Sequence, residues 1–289
     1  MPELPEVETT VRGLQIKVLG RTFIDVWTDS PKTIKRPKKF NQFKHVIIGK
    51  KIRQIWRRGK NIIFSLSGGF SLLIHQKLTG HLLLGQWNFK KGKWLTSEEP
   101  LSEKVNSYIH LLFALDNGLM LALSDLRKFA KVELWKTKEL DVAPDINKLG
   151  PEPFDKSLTF RRFCDIISCK QGKIKQILMD QKVIAGIGNI YSDEILFDAK
   201  IHPFRRVSQL TQRDIKRIYT AMRRILKKAI LLRGESISDF RDTAGEKGYF
   251  DKARKVYRRE GEPCPRCGTE IKRVKMGGRS AHYCPACQL

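Results

Sequence analysis

Met1-Pro2-Glu3-Leu4-Pro5-Glu6 opens the chain, and residues 7–19 after it read as a helix. Val7, Val11, Leu14 and Val18 keep one face of that helix apolar, and Gly20 stops it. The helix holds Pro2 and Glu3 at a fixed place. Pro2 follows the initiator Met, and a small second residue lets that Met be removed, leaving a free secondary amine. An α-amino group titrates at roughly 7.7–8.0 against about 10.4 for a lysine, so more of it is nucleophilic at neutral pH. Attack by a secondary amine on an aldehyde-like carbon gives a cationic iminium, an electron sink that makes neighbouring bonds breakable. Glu3 and Glu6 supply carboxylates beside it, able to move protons or steady positive charge.

Beyond the helix, residues 21–136 change to strand character. Strands are predicted at Phe23–Trp27, His45–Ile48, Ile52–Trp56, Ile62–Leu66, Phe70–Ile74, His81–Leu84, His110–Leu115, Leu119–Leu123 and Lys131–Trp135. Gly68-Gly69 and Asp116-Asn117-Gly118 are hairpin turns. Short strands with local connections suggest an antiparallel β-sandwich or flattened barrel, built with the N-terminal helix into a domain of residues 1–136. Lys32–Phe40 reads as a solvated basic loop, and 85–107 as a long lysine-rich surface connection.

Pro144, Gly150, Pro151 and Pro153 mark 137–153 as a linker. From Ser157 the pattern turns helical, with helices near 157–169, 173–181, 188–199 and 211–233, a domain of residues 154–240. Thr211 caps the last with Asp214 three residues on, and Gly234 ends it. Ile215, Ile218, Met222, Ile225, Leu226 and Ala229 are its buried stripe. Lys216, Arg217, Arg223, Arg224, Lys227 and Lys228 are its solvated face. Ala185-Gly186-Ile187-Gly188-Asn189 is a glycine-rich bend into a helix N-terminus, where backbone N–H groups can receive a phosphate. Residues 235–260 form a polar loop, and 241–289 comprise the end of that loop and a finger. The whole is an α+β multidomain chain.

With 289 residues, two domains are expected, and 41% hydrophobic residues suffice for real cores. Lys and Arg number 56 against 30 Asp and Glu, a net charge of +26 that makes nucleic acid the first expected partner. No signal peptide and no membrane span is read; Ser65-Leu66-Ser67-Gly68-Gly69 breaks the most apolar run. Of six cysteines, four stand as Cys264-x2-Cys267 and Cys284-x2-Cys287, the spacing of a four-cysteine zinc site. Cys164 and Cys169 lie among apolar residues and read as core thiols, so a reducing, intracellular setting follows. One structural Zn²⁺ would clamp the base of a hairpin, strands Ile271–Lys275 and Ser280–Tyr283, whose turn aims Arg279 outward to fork onto a phosphate or enter a groove.

Pro-Glu-Leu-Pro-Glu-Val-Glu-Thr at the start, Gly-Asn-Ile-Tyr in the middle and a ribbon ending Cys-Pro-Ala-Cys-Gln together resemble the formamidopyrimidine-DNA glycosylase family. The resemblance runs from Pro2 to Gln288. It implies a β-sandwich, a helix-two-turn-helix domain and a zinc finger, with damaged duplex DNA in the cleft between domains. It implies excision of oxidised purines such as 8-oxoguanine and formamidopyrimidines, followed by strand cleavage, in base excision repair by a monomer in the bacterial cytosol. By resemblance, Pro2 is the nucleophile on sugar C1′, Glu3 the acid/base, Glu6 their support, and Lys60 of Arg57-Arg58-Gly59-Lys60 takes part in elimination.

The resemblance further assigns Lys175, Asn189 and Tyr191 to gripping the DNA backbone and Arg279 to the finger's contact. Leu78, Arg127 and Phe129 fall where the family fills the hole left by the extruded base. Leu78 stands in place of the usual Met, and Ala130 in place of a usual glycine. A DNA-contacting histidine falls on Tyr108, whose hydroxyl can still bond a phosphate, with His110 two residues on. One rival is the sister endonuclease VIII group, which takes oxidised pyrimidines; Leu4 after Pro-Glu leans away from it. The other is a non-catalytic zinc protein that binds nucleic acid by charge, which has no need of Pro2, Glu3 and Lys60 together.

Overall fold

The computed structural model describes residues 1–236 and 239–289, and the chain divides into two compact units. The first comprises Met1–Asn147 and Leu232–Asp251, the second Lys148–Leu231 and Lys252–Leu289. Ile237 and Ser238, inside the loop read over 235–260, lie outside the described residues.

In the first unit, α1 (Leu4–Val18) starts at Pro5 in its first turn, where a missing N–H costs nothing. It is followed by β1 (Phe23–Thr28), β2 (Ile34–Arg36) and α2 (Phe40–Ile47). Then come β3 (Ile52–Arg58), β4 (Asn61–Leu66), β5 (Phe70–His75), β6 (His81–Gly85), β7 (Asn88–Lys90) and β8 (Lys93–Leu95). β9 (Ile109–Leu115), β10 (Met120–Ser124), β11 (Lys131–Lys136) and the short α3 (Pro144–Asn147) complete the order. One sheet runs β1-β9-β10-β6 and the other β2-β11-β5-β4-β3. All pairings in the two are antiparallel except that of β2 with β11.

The inner faces meet in one core. Leu82, Leu84, Leu111 and Phe113 from one sheet and Ile62, Phe64, Leu72 and Ile74 from the other pack there with Val7, Val11, Leu14 and Val18 of α1. The outer faces are covered too. Ile63, Leu73 and Trp135 lie with Leu140, Ala143 and Ile146, while Leu83, Leu112 and Ala122 lie with Trp87 and Leu101. Burial on both sides explains why these strands read as unbroken apolar runs, since side chains alternate between two apolar layers.

Four sequence expectations change. His45–Ile48 ends a helix and is no strand: Phe40, Phe43 and Ile47 recur at helical spacing, and Phe43 and Ile47 are fully buried. Lys32–Phe40 contains β2, and Arg36 lies 3.9 Å from the Trp135 ring centroid. Residues 85–107 carry the β7–β8 hairpin and buried Trp87, Leu101 and Asn106. Asn106 Oδ1 stands 3.0 Å from His81 Nε2, and its Nδ2 donates to the Pro100 carbonyl at 2.8 Å. Cys164 is half-buried and Cys169 exposed, so neither is a core thiol.

Residues 232–251, which the sequence reading divides between the helical domain and the loop before the finger, pack with the first unit. The Leu84 amide donates to the Thr243 carbonyl at 2.8 Å, and Gly13 has no room for a Cβ beside the Thr243 hydroxyl. In the second unit stand α4 (Phe160–Ser168), α5 (Ile174–Met179), α6 (Asn189–Ala199) and α7 (Gln212–Leu231). The finger hairpin of β12 (Lys272–Met276) and β13 (Arg279–Tyr283) follows. Thr211 and Asp214 exchange side-chain-to-backbone bonds at the start of α7, as their spacing predicts.

Candidate functional site

The residues that follow Met1 are buried. Pro2 is enclosed, Glu3 and Glu6 are 3% and 1% exposed, and Lys60 is 6% exposed. Glu6 Oε2 accepts the backbone N–H of Glu3 at 2.7 Å, which fixes the entry into α1. Burial holds the terminal amine, carried here by Met1, below its ordinary pKa; the charges of Glu3 and Glu6 oppose that shift and Lys60 adds to it. An amine, two carboxylates and a lysine thus share one enclosed place. Lys60 gets there by turn geometry. Arg58 pairs with Asn61 across β3 and β4, leaving Gly59-Lys60 as the turn, and Gly59 adopts φ +58°. Arg57 donates to the Gly59 carbonyl at 3.0 Å, and Asn61 Nδ2 donates to the Asp145 carbonyl at 3.2 Å, bracing the turn on both sides.

A second group lies on the same unit. Asp125, almost fully buried, accepts from the Thr79 hydroxyl, from the Arg127 amide at 3.3 Å and from the Ala130 amide at 2.7 Å. Three donors on one carboxylate lock the loop 125–130 to the turn that carries Leu78. Leu78 is half-buried there, while Arg127 and Phe129 are exposed and stack with the guanidinium carbon 4.6 Å from the ring centroid. Tyr108 is half-buried, and its carbonyl accepts the Asp125 amide at 2.8 Å. His110 Nδ1 sits 2.9 Å from Asp29.

In the second unit, Asn189 opens α6 half-buried. Gln181 shapes the bend before it, accepting the Gly186 amide at 2.9 Å and donating to the Ile187 carbonyl at 2.6 Å. Arg279 is exposed at the hairpin tip. Two residues expected to grip a phosphate backbone lie inside this unit. Tyr191 is fully buried in the helical core. Lys175 is fully buried, paired through Nζ with Asp193 Oδ1 at 2.7 Å and donating to the Ser280 carbonyl at 2.6 Å. Asp193 Oδ2 in turn accepts the His282 amide at 3.0 Å, so this buried pair ties the finger strand β13 to α5 and α6.

The four cysteine sulfurs of the finger lie within 4.8 Å of one another, with Cys264–Cys287 at 3.9 Å and Cys267–Cys284 at 3.5 Å. A tetrahedron of zinc–thiolate bonds of about 2.3 Å has edges of about 3.8 Å, so the spacing fits. Thr269 draws the Cys267 thiol down to about 6, whereas burial and then the neighbouring thiols push Cys287 up to about 12. Four thiols this close cannot all ionise without a cation, and a closed set of four leaves no position for substrate.

Several contributors escaped sequence reading. His75 pairs with Asn61 across β4 and β5 and feels the charge of Lys60. Its polar place in an apolar strand was the available signal. Asp125 and Asp193 work through partners 46 and 18 positions away (Thr79 and Lys175), and Glu235 reaches Glu6 across the chain, so spacing could not reveal them. Gln76 is 1% exposed, and neither polar atom of its amide has a partner among the described residues.

Comparison with known proteins agrees with this arrangement. Residues 1–132 match the formamidopyrimidine-DNA glycosylase N-terminal domain, 149–241 its H2TH domain, and 261–289 the zinc finger found in FPG and IleRS. Formamidopyrimidine-DNA glycosylases of Pelotomaculum thermopropionicum and Bacillus cereus are 40% and 38% identical, each aligned over 100% of this chain and 99% of the relative. The solved Lactococcus lactis Fpg in complex with abasic-site DNA is 34% identical and covers 99% of both chains with a TM-score of 0.87. Curated relatives aligned end to end, matching models over both domains and the finger, and the same fold place this chain in the formamidopyrimidine-DNA glycosylase family.

Proposed function

We propose that the protein is a bifunctional DNA glycosylase and abasic-site lyase that removes oxidised purines from duplex DNA in base excision repair. The observation that carries this reading is the enclosed terminal amine, set among Glu3, Glu6 and Lys60 and kept less protonated by its burial. Once Met1 is removed, the Pro2 nitrogen attacks C1′ of the damaged nucleotide, and the base leaves. Glu3 gives a proton to the ring oxygen as the sugar opens, leaving an iminium between Pro2 and C1′. That cation acidifies C2′. Loss of the C2′ proton expels the 3′ phosphate, and loss of a second sugar proton expels the 5′ phosphate, with Lys60 serving these eliminations.

The damaged base must leave the stack first, at a cost of a few kcal/mol. Phe129 wedges the duplex, Arg127 and Leu78 occupy the gap, and the buried Asp125 carboxylate holds their loop. Asn189 and Arg279 hold the backbone, and Tyr108 stands by the same loop as Arg127. One structural zinc on Cys264, Cys267, Cys284 and Cys287 keeps the finger folded. Among the described residues no helix is long and apolar enough to cross a membrane, and we place the monomeric enzyme in the bacterial cytoplasm.

Borohydride trapping tests the reading. A duplex carrying 8-oxoguanine should become covalently linked at residue 2, and Pro2→Gly should abolish nicking while keeping much of the binding. A link mapped to any other residue overturns it. Faster turnover of thymine glycol than of 8-oxoguanine would move the substrate to oxidised pyrimidines.

A further inference from the structure

The end of α6 away from Asn189 borders a cleft of about 550 Å³ that nothing in the proposed reaction uses. Lys200, Arg213, Lys216, Arg217 and Arg224 line it against a single carboxylate, Asp198. α6 is eleven residues long, so the cleft stands roughly 16 Å from the Asn189 end. Arg224 is paired with Asp198 at 3.1 Å, and Arg217 with Asp214 at 2.6 Å. Lys200, Arg213 and Lys216 have no acidic partner among the described residues.

Local structure alone does not account for these cations. Those beside the C-terminus of α6 would offset its dipole, but Arg213 sits in the first turn of α7, where the dipole disfavours positive charge, and Lys216 stands just beyond it. Lys200 caps α6 at φ +59°, a conformation for which glycine is the usual residue. Arg213, Arg217, Thr220 and Arg224 follow one another at i, i+4, i+7 and i+11. They form a row of roughly 16 Å along one helix face. A single phosphate calls for donors that converge, whereas a row of this length matches successive phosphates of a nucleic-acid strand.

The geometry points to a second phosphodiester-binding site here, one that takes a second segment of duplex DNA while the first is held at the Asn189 end. The inference rests on the reading of Asn189 as a contact to the damaged duplex. Its consequence is transfer between DNA segments without full release, driven by counterion displacement and therefore steeply salt-dependent.

The test uses full-length enzyme trapped by borohydride on a short damaged duplex, titrated with a fluorescent undamaged duplex. Wild type should bind this second duplex, and K200Q/R213Q/K216Q should bind it at least about tenfold more weakly. Three fewer phosphate contacts should lower the slope of log affinity against log salt by about 2–3. Single-turnover nicking of the short damaged duplex should stay unchanged. Wild-type complex that takes no second duplex, or a triple variant that takes it equally well, overturns the site. So does saturable binding of inorganic pyrophosphate in the cleft that the duplex fails to displace. Failure to trap counts against the catalytic reading alone, because native mass spectrometry of untrapped protein with two short duplexes still reports whether a second one binds.

Discussion

Glu6 Oε1 accepts the backbone N–H of Glu235 at 2.7 Å, joining residues 229 positions apart, while Oε2 of the same carboxylate holds the Glu3 amide. One buried side chain therefore sets both the entry into α1 and the segment returning at 234–235. Gly234 shows how tight the approach is: at φ +78°, a Cβ there would lie 2.6 Å from Glu6 Oε1.

Glu6→Gln keeps the shape but turns one acceptor into an N–H donor facing another N–H. The cost should be about 1–3 kcal/mol of stability, read by urea denaturation. Glu6 also raises the pKa of the terminal amine, so losing its charge lowers that pKa further. The pH at which borohydride trapping reaches half its maximum should move to lower values. A shift to higher pH would contradict the placement of this carboxylate beside the amine.

Asp193→Asn should be among the most destabilising changes in the second unit, because it removes the counter-charge of the fully buried Lys175 ammonium. Breaking a buried pair from one side costs about 3–5 kcal/mol. Since Lys175 and Asp193 both hold β13, DNA affinity should fall with stability even though neither side chain reaches the surface. Adding Lys175→Met should recover part of the stability, as a double-mutant cycle would register. Simple additivity of the two losses would remove the pair from this account.

Much of this architecture was legible in the sequence because it rests on local periodicity and spacing. Strands β3 to β6 and β9 to β11, the stripe and cap of α7 and the four cysteines announce themselves within a few residues of their own neighbours. What stayed hidden depends on distant partners. The β-branched run Val46-Ile47-Ile48 reads as a strand until Phe43 and Ile47 are seen buried on one helix face. Lys175 is assigned by resemblance to the DNA backbone, and its burial shows only once Asp193 and Ser280 close around it. Residues 232–251 look like a connection after α7, yet they pack with the first unit through Glu6, Leu84 and Asn106.

Gln76→Leu should stabilise the protein. The amide is 1% exposed and unpartnered among the described residues, and such a burial costs about 1–3 kcal/mol relative to an apolar side chain of similar size. The midpoint of urea denaturation should rise with the slope unchanged. A fall would mean that an ordered water satisfies the amide and is lost with it.

His75 should make the first unit acid-sensitive. Burial, and next the charge of Lys77, hold its pKa down to about 3, while its Nδ1 accepts the Lys77 amide at 3.0 Å. An unfolded histidine titrates near 6.5. Above that value both states are neutral, and His75 adds no pH dependence. Below it the unfolded chain binds a proton that the native state refuses, so stability declines from about pH 6.5 toward 3. With the residue half-buried, the loss should be about 1–2 kcal/mol by roughly pH 4.5, allowing for solvent screening. His75→Gln should remove that part of the decline while leaving stability at neutral pH within about 1 kcal/mol. Urea denaturation of both proteins at the two pH values measures it, and equal acid losses would place the sensitivity elsewhere. Because the imidazole stays neutral through this range, it adds no positive charge beside Lys60 between about pH 4.5 and 6.5.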